Sequence, residues 1–267
     1  KEMLPLVDKP TIQYGVEEAV QSGLTSIILV TSRGKSAMED HFDESMDLVH
    51  FLESRGKREL ADEVRSVASL TRVSAVRQGE PLGLGHAVWC ARDIVGDEPF
   101  AVILPDMITL PGARKSRCLA QCIETYEQHK GNVIAVEEVP PSETHMYGIV
   151  SVGKDFGHTF EINGMVEKPP QGTGPSNLII SGRYILGPEI FPILANIGKG
   201  AGGEIQLTDG MKKLAETQGF YGVRFDGKTY DTGSKIGFLA ANVAFAMARP
   251  DIAPGFRTEL KKIVGTL

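Results

Sequence analysis

Two short runs, SIILVTS (26–32) and PFAVILPD (99–106), carry continuous apolar centres. A strand of that kind is buried on both faces, and helices on each side of a sheet are the usual way to cover both. The stretches between such runs obey a different period. KPTIQYGVEEAVQSG (9–23) has Pro10 where a first helical turn tolerates it, and Ile12, Val16, Ala19 and Val20 at helical spacing before Gly23. TRVSAVRQ (71–78) alternates like a strand, LGHAVWCARDIV (84–95) reads as a helix, and residues 115–130 form a helix leading into the strand NVIAVEEV (132–139). Residues 36–70 are charged and helix-periodic, a helical excursion from this rhythm.

The order β, α, β, α, β predicts an α/β fold with a mixed, mostly parallel central sheet flanked by helices. Beyond residue 145 the rhythm changes. YGIVSV, HTFEINGMVEK, NLIISGRYIL and FYGVRFDG read as strands with few helices between them, so 145–187 is expected to be an antiparallel elaboration. Helices return at 188–197, 204–217 and 234–248, with C-terminal helices over about 234–265. No internal repeat or linker interrupts residues 1–267, which read as one domain.

With 42% hydrophobic residues the chain can build a sizeable core. A formal net charge of −6 argues against a general nucleic-acid binder, which needs a positive footprint, but leaves room for an anionic small substrate met by a few local cations. No apolar run approaches the roughly 18 residues of a membrane span, and no signal peptide is visible. Cys90, Cys118 and Cys122 make no disulfide framework, which fits a reduced, cytoplasmic protein. Cys118 and Cys122 are either two small core residues or a metal pair. The first is favoured because no His or Cys cluster accompanies them. The six histidines (41, 50, 86, 129, 145 and 158) show no metal spacing. A G-x-S-x-G elbow and a G-x-x-x-x-G-K-[ST] loop are both missing from these residues.

Ligands of open α/β sheets sit beyond the carboxyl ends of the strands, so residues directly following strand runs are the candidates. Gln78 ends a strand and precedes a loop with Gly79, Gly83 and Gly85. Its amide offers the donor and acceptor a pyrimidine edge requires, although an ordinary glycine-rich turn would look the same. Asp106 follows a strand and can ligate Mg²⁺, which takes oxygen ligands and shares them with substrate phosphates; a turn aspartate is the plain alternative. Asp231, ahead of Thr-Gly-Ser and a helix, is either a second acidic metal contact or a helix cap. In GMVEKPPQG (164–172), Glu167 and Lys168 are either a solvated strand end or a grip on one substrate.

KEMLPLVDKPTIQYGVEEAVQSG, EDHFD, RQGEPLGLGHAV, LPDM, YGIV, MVEKP, SGRYIL, GGEIQLTDGM and YDTGSKIGFLAANVAFA, in this order over essentially the whole chain, closely resemble the bacterial UTP–glucose-1-phosphate uridylyltransferases, also called UDP-glucose pyrophosphorylases. The resemblance implies a Rossmann-like nucleotidyltransferase fold and formation of UDP-glucose and pyrophosphate from UTP and glucose 1-phosphate with Mg²⁺. It also implies a homodimer or homotetramer, with no nucleic-acid or membrane partner expected. By motif match, Lys1 contacts phosphates, Gln78 and Gly83 read uracil, and Asp106 and Asp231 lie at the metal. Gly148, Glu167 and Gly182 surround the glucose, Lys168 holds its phosphate, and Glu204 lies near the sugar. The family's G-x-G-T-R loop is expected ahead of Lys1 and is not in this sequence. Two other readings share the pattern: a sister nucleotidyltransferase using dTTP, and a non-catalytic nucleotide-sugar-binding subunit.

Overall fold

NVIAVEEV behaves as a strand between two helical layers. Its residues Ile134 and Val136 enter one core with Val88, Phe160, Tyr184, Leu186, Leu194 and Met211. The alternate residues Val133 and Ala135 enter another with Ala19, Leu119, Cys122 and Val223. A period of two therefore feeds both faces of the sheet, and Cys118 and Cys122 are core residues, as favoured.

The computed structural model describes residues 2–265, apart from the side chain of Ala201, so Lys1 lies outside the described residues. The chain runs β1 (Pro5–Leu6), β2 (Lys9–Pro10), α1 (Thr11–Gln21), β3 (Ser26–Thr31), then α2 (Ser36–Asp40), α3 (Met46–Ser54) and α4 (Arg58–Ala68), which make up the helical excursion. There follow β4 (Arg72–Arg77), α5 (Leu84–Cys90), α6 (Arg92–Val95), β5 (Phe100–Ile103), β6 (Met107–Pro111), α7 (Cys118–His129) and β7 (Asn132–Glu138). The last part is β8 (Gly148–Asp155), β9 (Thr159–Glu167), β10 (Leu178–Leu186), α8 (Ile190–Asn196), α9 (Leu207–Leu214), β11 (Phe220–Arg224), β12 (Gly227–Asp231), α10 (Lys235–Ala248) and α11 (Ala253–Val264).

The main sheet has the order β5-β10-β7-β11-β9-β8. It is mixed, as expected, but its direct pairings are not mostly parallel. Only β7 and β11 pair parallel within it, because β10 enters antiparallel between β5 and β7. A second parallel pair, β3–β4, stands apart from this sheet. An apolar cavity of about 560 Å³ lies between β3 and β5, lined by residues such as Val16, Ile27, Leu29, Val88, Ala101 and Ile103. Two further corrections are local. The helix expected over 84–95 breaks at Ala91 into α5 and α6, and a short antiparallel pair, β6 with β12, appears where the sequence marked no strand pair.

The sheet also curls. β5 pairs with β10 only over Arg183–Leu186. Beyond that point β8 meets the same strand, Ile149 opposite Ile179. This curl brings the start of β8 and the end of β9 to the opening beyond the carboxyl end of β5. Among the described residues, no helix is long and apolar enough to cross a membrane.

Candidate active site

The chain leaves β5 at Ile103, turns through Leu104 and Pro105, and enters β6 at Met107. Asp106 sits at that turn. Met107 is the register partner of Asp231, and the Thr232 N–H and hydroxyl both donate to the Asp106 carbonyl, at 2.8 and 2.9 Å. Two half-exposed aspartates thus emerge side by side from one strand pair. The helix-cap reading of Asp231 fails: Ser234 caps α10 by accepting from the Gly237 N–H at 3.0 Å, while the Asp231 carboxylate accepts, among the described residues, from the Gly233 N–H of its own turn, at 2.8 Å. No group of three or more metal-ligating side chains exists among the described residues. A pair of carboxylates is what Mg²⁺ needs when waters and substrate phosphates complete its shell, so these residues fit that ion.

The β8–β9 pairing sets Gly148 opposite Glu167. Glu167 accepts a 2.6 Å hydrogen bond from the Thr208 hydroxyl on α9. In an unbroken strand its neighbour would point the other way. Instead Lys168 takes a left-handed conformation, φ 42°, and its N–H makes one last bond to the Tyr147 carbonyl at 3.1 Å. Pro169 has no N–H to continue the ladder. Few non-glycine residues take this conformation, and here it falls on an exposed lysine. Gly182, at φ 79° in an irregularity of β10, lets that strand touch the Asp106 turn: a Cβ there would sit 3.1 Å from the Cβ atoms of Leu104 and Met107.

On the other side, the Gln78 N–H continues the β3–β4 pairing by donating to the Thr31 carbonyl at 2.8 Å. Its side-chain amide nitrogen lies 3.0 Å from the Gly83 carbonyl and 3.1 Å from His86 Nδ1. Gly83, at φ 106°, packs directly on the 204–205 backbone, where a Cβ would meet Glu204 Cβ at 2.7 Å. Two bonds tie the segments, Ile205 N–H to Leu82 O at 2.7 Å and Gly85 N–H to Ile205 O at 2.8 Å. Glu204, expected near the sugar, therefore sits against the Gly83 loop, and Thr208, four residues on, reaches Glu167. The segment 204–208 connects the two halves of the site.

Sequence reasoning missed what lies underneath. Arg183, 1% exposed, donates from Nε and Nη2 to Glu18 Oε2 at 3.1 and 2.8 Å, and from Nη1 to the Leu104 and Gly182 carbonyls at 3.3 and 3.2 Å. Glu18, 3% exposed, also accepts from the Thr109 hydroxyl and the Leu119 N–H, each at 3.0 Å. Burial alone would raise the Glu18 carboxyl, but the Arg183 charge and these donors outweigh it and hold the group below the ordinary range. The pair fixes α1, β6, α7 and β10 beneath the Asp106 turn. A lone arginine inside NLIISGRYIL was the available signal. Glu137, at the end of β7, was also missed, although it obeys the strand-end rule that found Asp106; it accepts from the Thr229 N–H at 2.9 Å. Burial pushes the Tyr147 phenol up, and the negative charges of Asp231, Glu143 and Glu137 add to it. Tyr147 thus links the acidic pair to the backbone that holds Lys168. A second cavity, of about 410 Å³ with Asp97, Lys130, Asn132 and Gln218 in its wall, lies at the amino ends of β5, β7 and β11, away from these groups.

Residues 1–247 match the family model described as Nucleotidyl transferase. A UTP–glucose-1-phosphate uridylyltransferase of Bacillus subtilis is 50% identical over 250 residues, covering 92% of this chain and 84% of that protein. A UTP-bound UGPase from Acinetobacter baumannii superposes with a TM-score of 0.89 at 38% identity, over 97% of this chain and 90% of that one. A UDP-glucose pyrophosphorylase complexed with UDP-glucose gives a TM-score of 0.85 at 38% identity, over 93% and 91%. The chain belongs to the nucleotidyl transferase family, among the UTP–glucose-1-phosphate uridylyltransferases.

Proposed function

We infer that this protein transfers the uridylyl group of UTP to glucose 1-phosphate, giving UDP-glucose and pyrophosphate. The observation that carries the reading is the meeting of two half-exposed aspartates, Asp106 and Asp231, with Glu167 and Lys168 at one opening of the sheet.

The nucleophile comes with the substrate. A phosphate monoester has a second pKa of about 6, so glucose 1-phosphate is mostly a dianion at neutral pH. One of its oxygens attacks the α-phosphorus of UTP. The new O–P bond forms as the bond to the bridging oxygen of the β-phosphate breaks, and pyrophosphate leaves with that electron pair. No proton has to be removed, so no His, Ser or Cys base is required. The task is to hold two polyanions in line. Such positioning supplies on the order of 7–11 kcal/mol. Lys168 holds the sugar phosphate, Glu167 accepts from sugar hydroxyls with Gly148 and Gly182 beside it, and Gln78 with Gly83 takes the base. Asp106 and Asp231 hold Mg²⁺, which when bound neutralises phosphate charge. Assembly as a homodimer or homotetramer, implied by the resemblance, is a matter for light scattering.

The test is product formation from glucose 1-phosphate with UTP, dTTP, CTP or ATP, with and without Mg²⁺. UDP-glucose and pyrophosphate in equal amounts, with UTP preferred and Mg²⁺ required, is the expected result. No UDP-glucose under any condition overturns the reading, and preference for dTTP reassigns the base.

A further inference from the structure

The Gln78 side chain has two N–H donors and one carbonyl oxygen. The Gly83 carbonyl can only accept, so the amide nitrogen must be the atom 3.0 Å from it. The same nitrogen is 3.1 Å from His86 Nδ1. That ring nitrogen therefore accepts, and the imidazole proton sits on Nε2, which faces Cys90 Sγ at 3.8 Å. The ring is held in place by stacking on Trp89, with centroids 5.7 Å apart and planes 21° apart. Trp89 in turn carries the Arg92 guanidinium 3.7 Å from its ring centroid. Both Gln78 donors are used. Among the described residues nothing donates to its oxygen, so what remains for a ligand is an acceptor.

This polarity selects bases. Uracil presents an N3–H donor between two carbonyls, which an amide oxygen accepts. Cytosine presents an N3 lone pair, which the same oxygen repels. With a free amide, Gln78 could turn and serve either base; with its nitrogen bound on two sides it cannot. We propose that His86 is a specificity-determining positioning residue, whose Nδ1 locks the Gln78 amide with its oxygen toward the base, so that the site takes nucleotides offering an N3–H. The lock excludes cytosine and does not separate uracil from thymine. It rests on the reading of Gln78 as the base-contacting residue. His86 also gives GLGHAV a role beyond its glycines.

The experiment compares kcat and KM for UTP and for CTP in the wild-type protein, His86→Phe, His86→Asn and Gln78→Ala. Phenylalanine keeps a ring for Trp89 and removes the acceptor; asparagine can return an acceptor near the Nδ1 position. His86→Phe is expected to lower the UTP/CTP ratio of kcat/KM about tenfold, the scale of one lost hydrogen bond, through KM for UTP. Its kcat at saturating UTP and its KM for glucose 1-phosphate should stay near wild type, and His86→Asn should recover most of the ratio. An unchanged ratio in His86→Phe, with Gln78→Ala collapsing it, overturns the lock and leaves Gln78 as the reader. An unchanged ratio in Gln78→Ala overturns both. A uniform fall in kcat that asparagine does not rescue assigns His86 to the framework alone and also overturns the proposal.

Discussion

Charged groups occur in this site at two levels, and they are built in opposite ways. The floor is the Glu18–Arg183 pair, almost fully buried, with five hydrogen bonds beyond the 2.8 Å contact between its two members. The rim is Asp106, Asp231, Glu167 and Lys168, half-exposed or exposed, and sparsely bonded. A buried ion must spend its bonding capacity on the protein, because an unsatisfied charge in the interior is costly. A rim ion keeps that capacity for a ligand. The same residue types thus serve stability below and chemistry above, and the two should come apart under mutation.

Breaking the floor gives the largest effect. Glu18→Ala leaves Arg183 buried and unpaired, and should cost about 3–5 kcal/mol in urea unfolding. The pair also sets an acid limit. The folded-state carboxyl of Glu18 lies below its unfolded value, so its contribution is fully present above the ordinary glutamate range, about pH 4–5. It is lost as pH falls from there toward the lowered native value. The wild-type protein should therefore lose stability on acidification, and Glu18→Gln should show a shallower loss over the same window. Equal slopes would show that this carboxylate does not set the limit.

Next is Asp106→Ala, a change at the rim. It should reduce Mg²⁺-dependent turnover about a hundredfold or more, while the urea midpoint stays near wild type. Near-normal turnover removes Asp106 from the metal role; a collapsed midpoint would blur the division between levels. Lys168→Ala is smaller, raising KM for glucose 1-phosphate about tenfold, one charge-assisted contact, with KM for UTP unchanged. A change confined to UTP would move Lys168 to the other substrate. The smallest is Ser234→Ala, which removes the cap of α10 and should cost about 1 kcal/mol without altering Mg²⁺ dependence. A shift in Mg²⁺ dependence would return Asp231 to a structural role shared with the cap.

The rim was more legible in the sequence than the floor, for a physical reason. Asp106 follows a continuous apolar run, and the strand-end rule places it from local pattern alone. Glu18 and Arg183 are 165 residues apart, and no local period joins them. Pairing is non-local in the same way: the change of rhythm beyond residue 145 announced antiparallel strands, but nothing in NLIISGRYIL says that it enters between β5 and β7. The pair β6–β12 was missed because MITLP and GKTYD are short and alternate poorly. GMVEKPPQG showed where the strand ends. It could not show that Lys168 turns left-handed there, which allows consecutive charges to leave the alternation of the strand. Glu204 was assigned by motif, and only its packing on Gly83 reveals that it belongs to the join between the halves.

The central claim is that the sugar phosphate attacks UTP directly and that the protein contributes no nucleophile. The most direct test uses one diastereomer of UTP carrying sulfur on the α-phosphorus, with glucose 1-phosphate and Mg²⁺. A single in-line displacement predicts inversion at phosphorus in the UDP-glucose analogue. Retention would mean two displacements through a covalent uridylyl-protein, and would contradict the account.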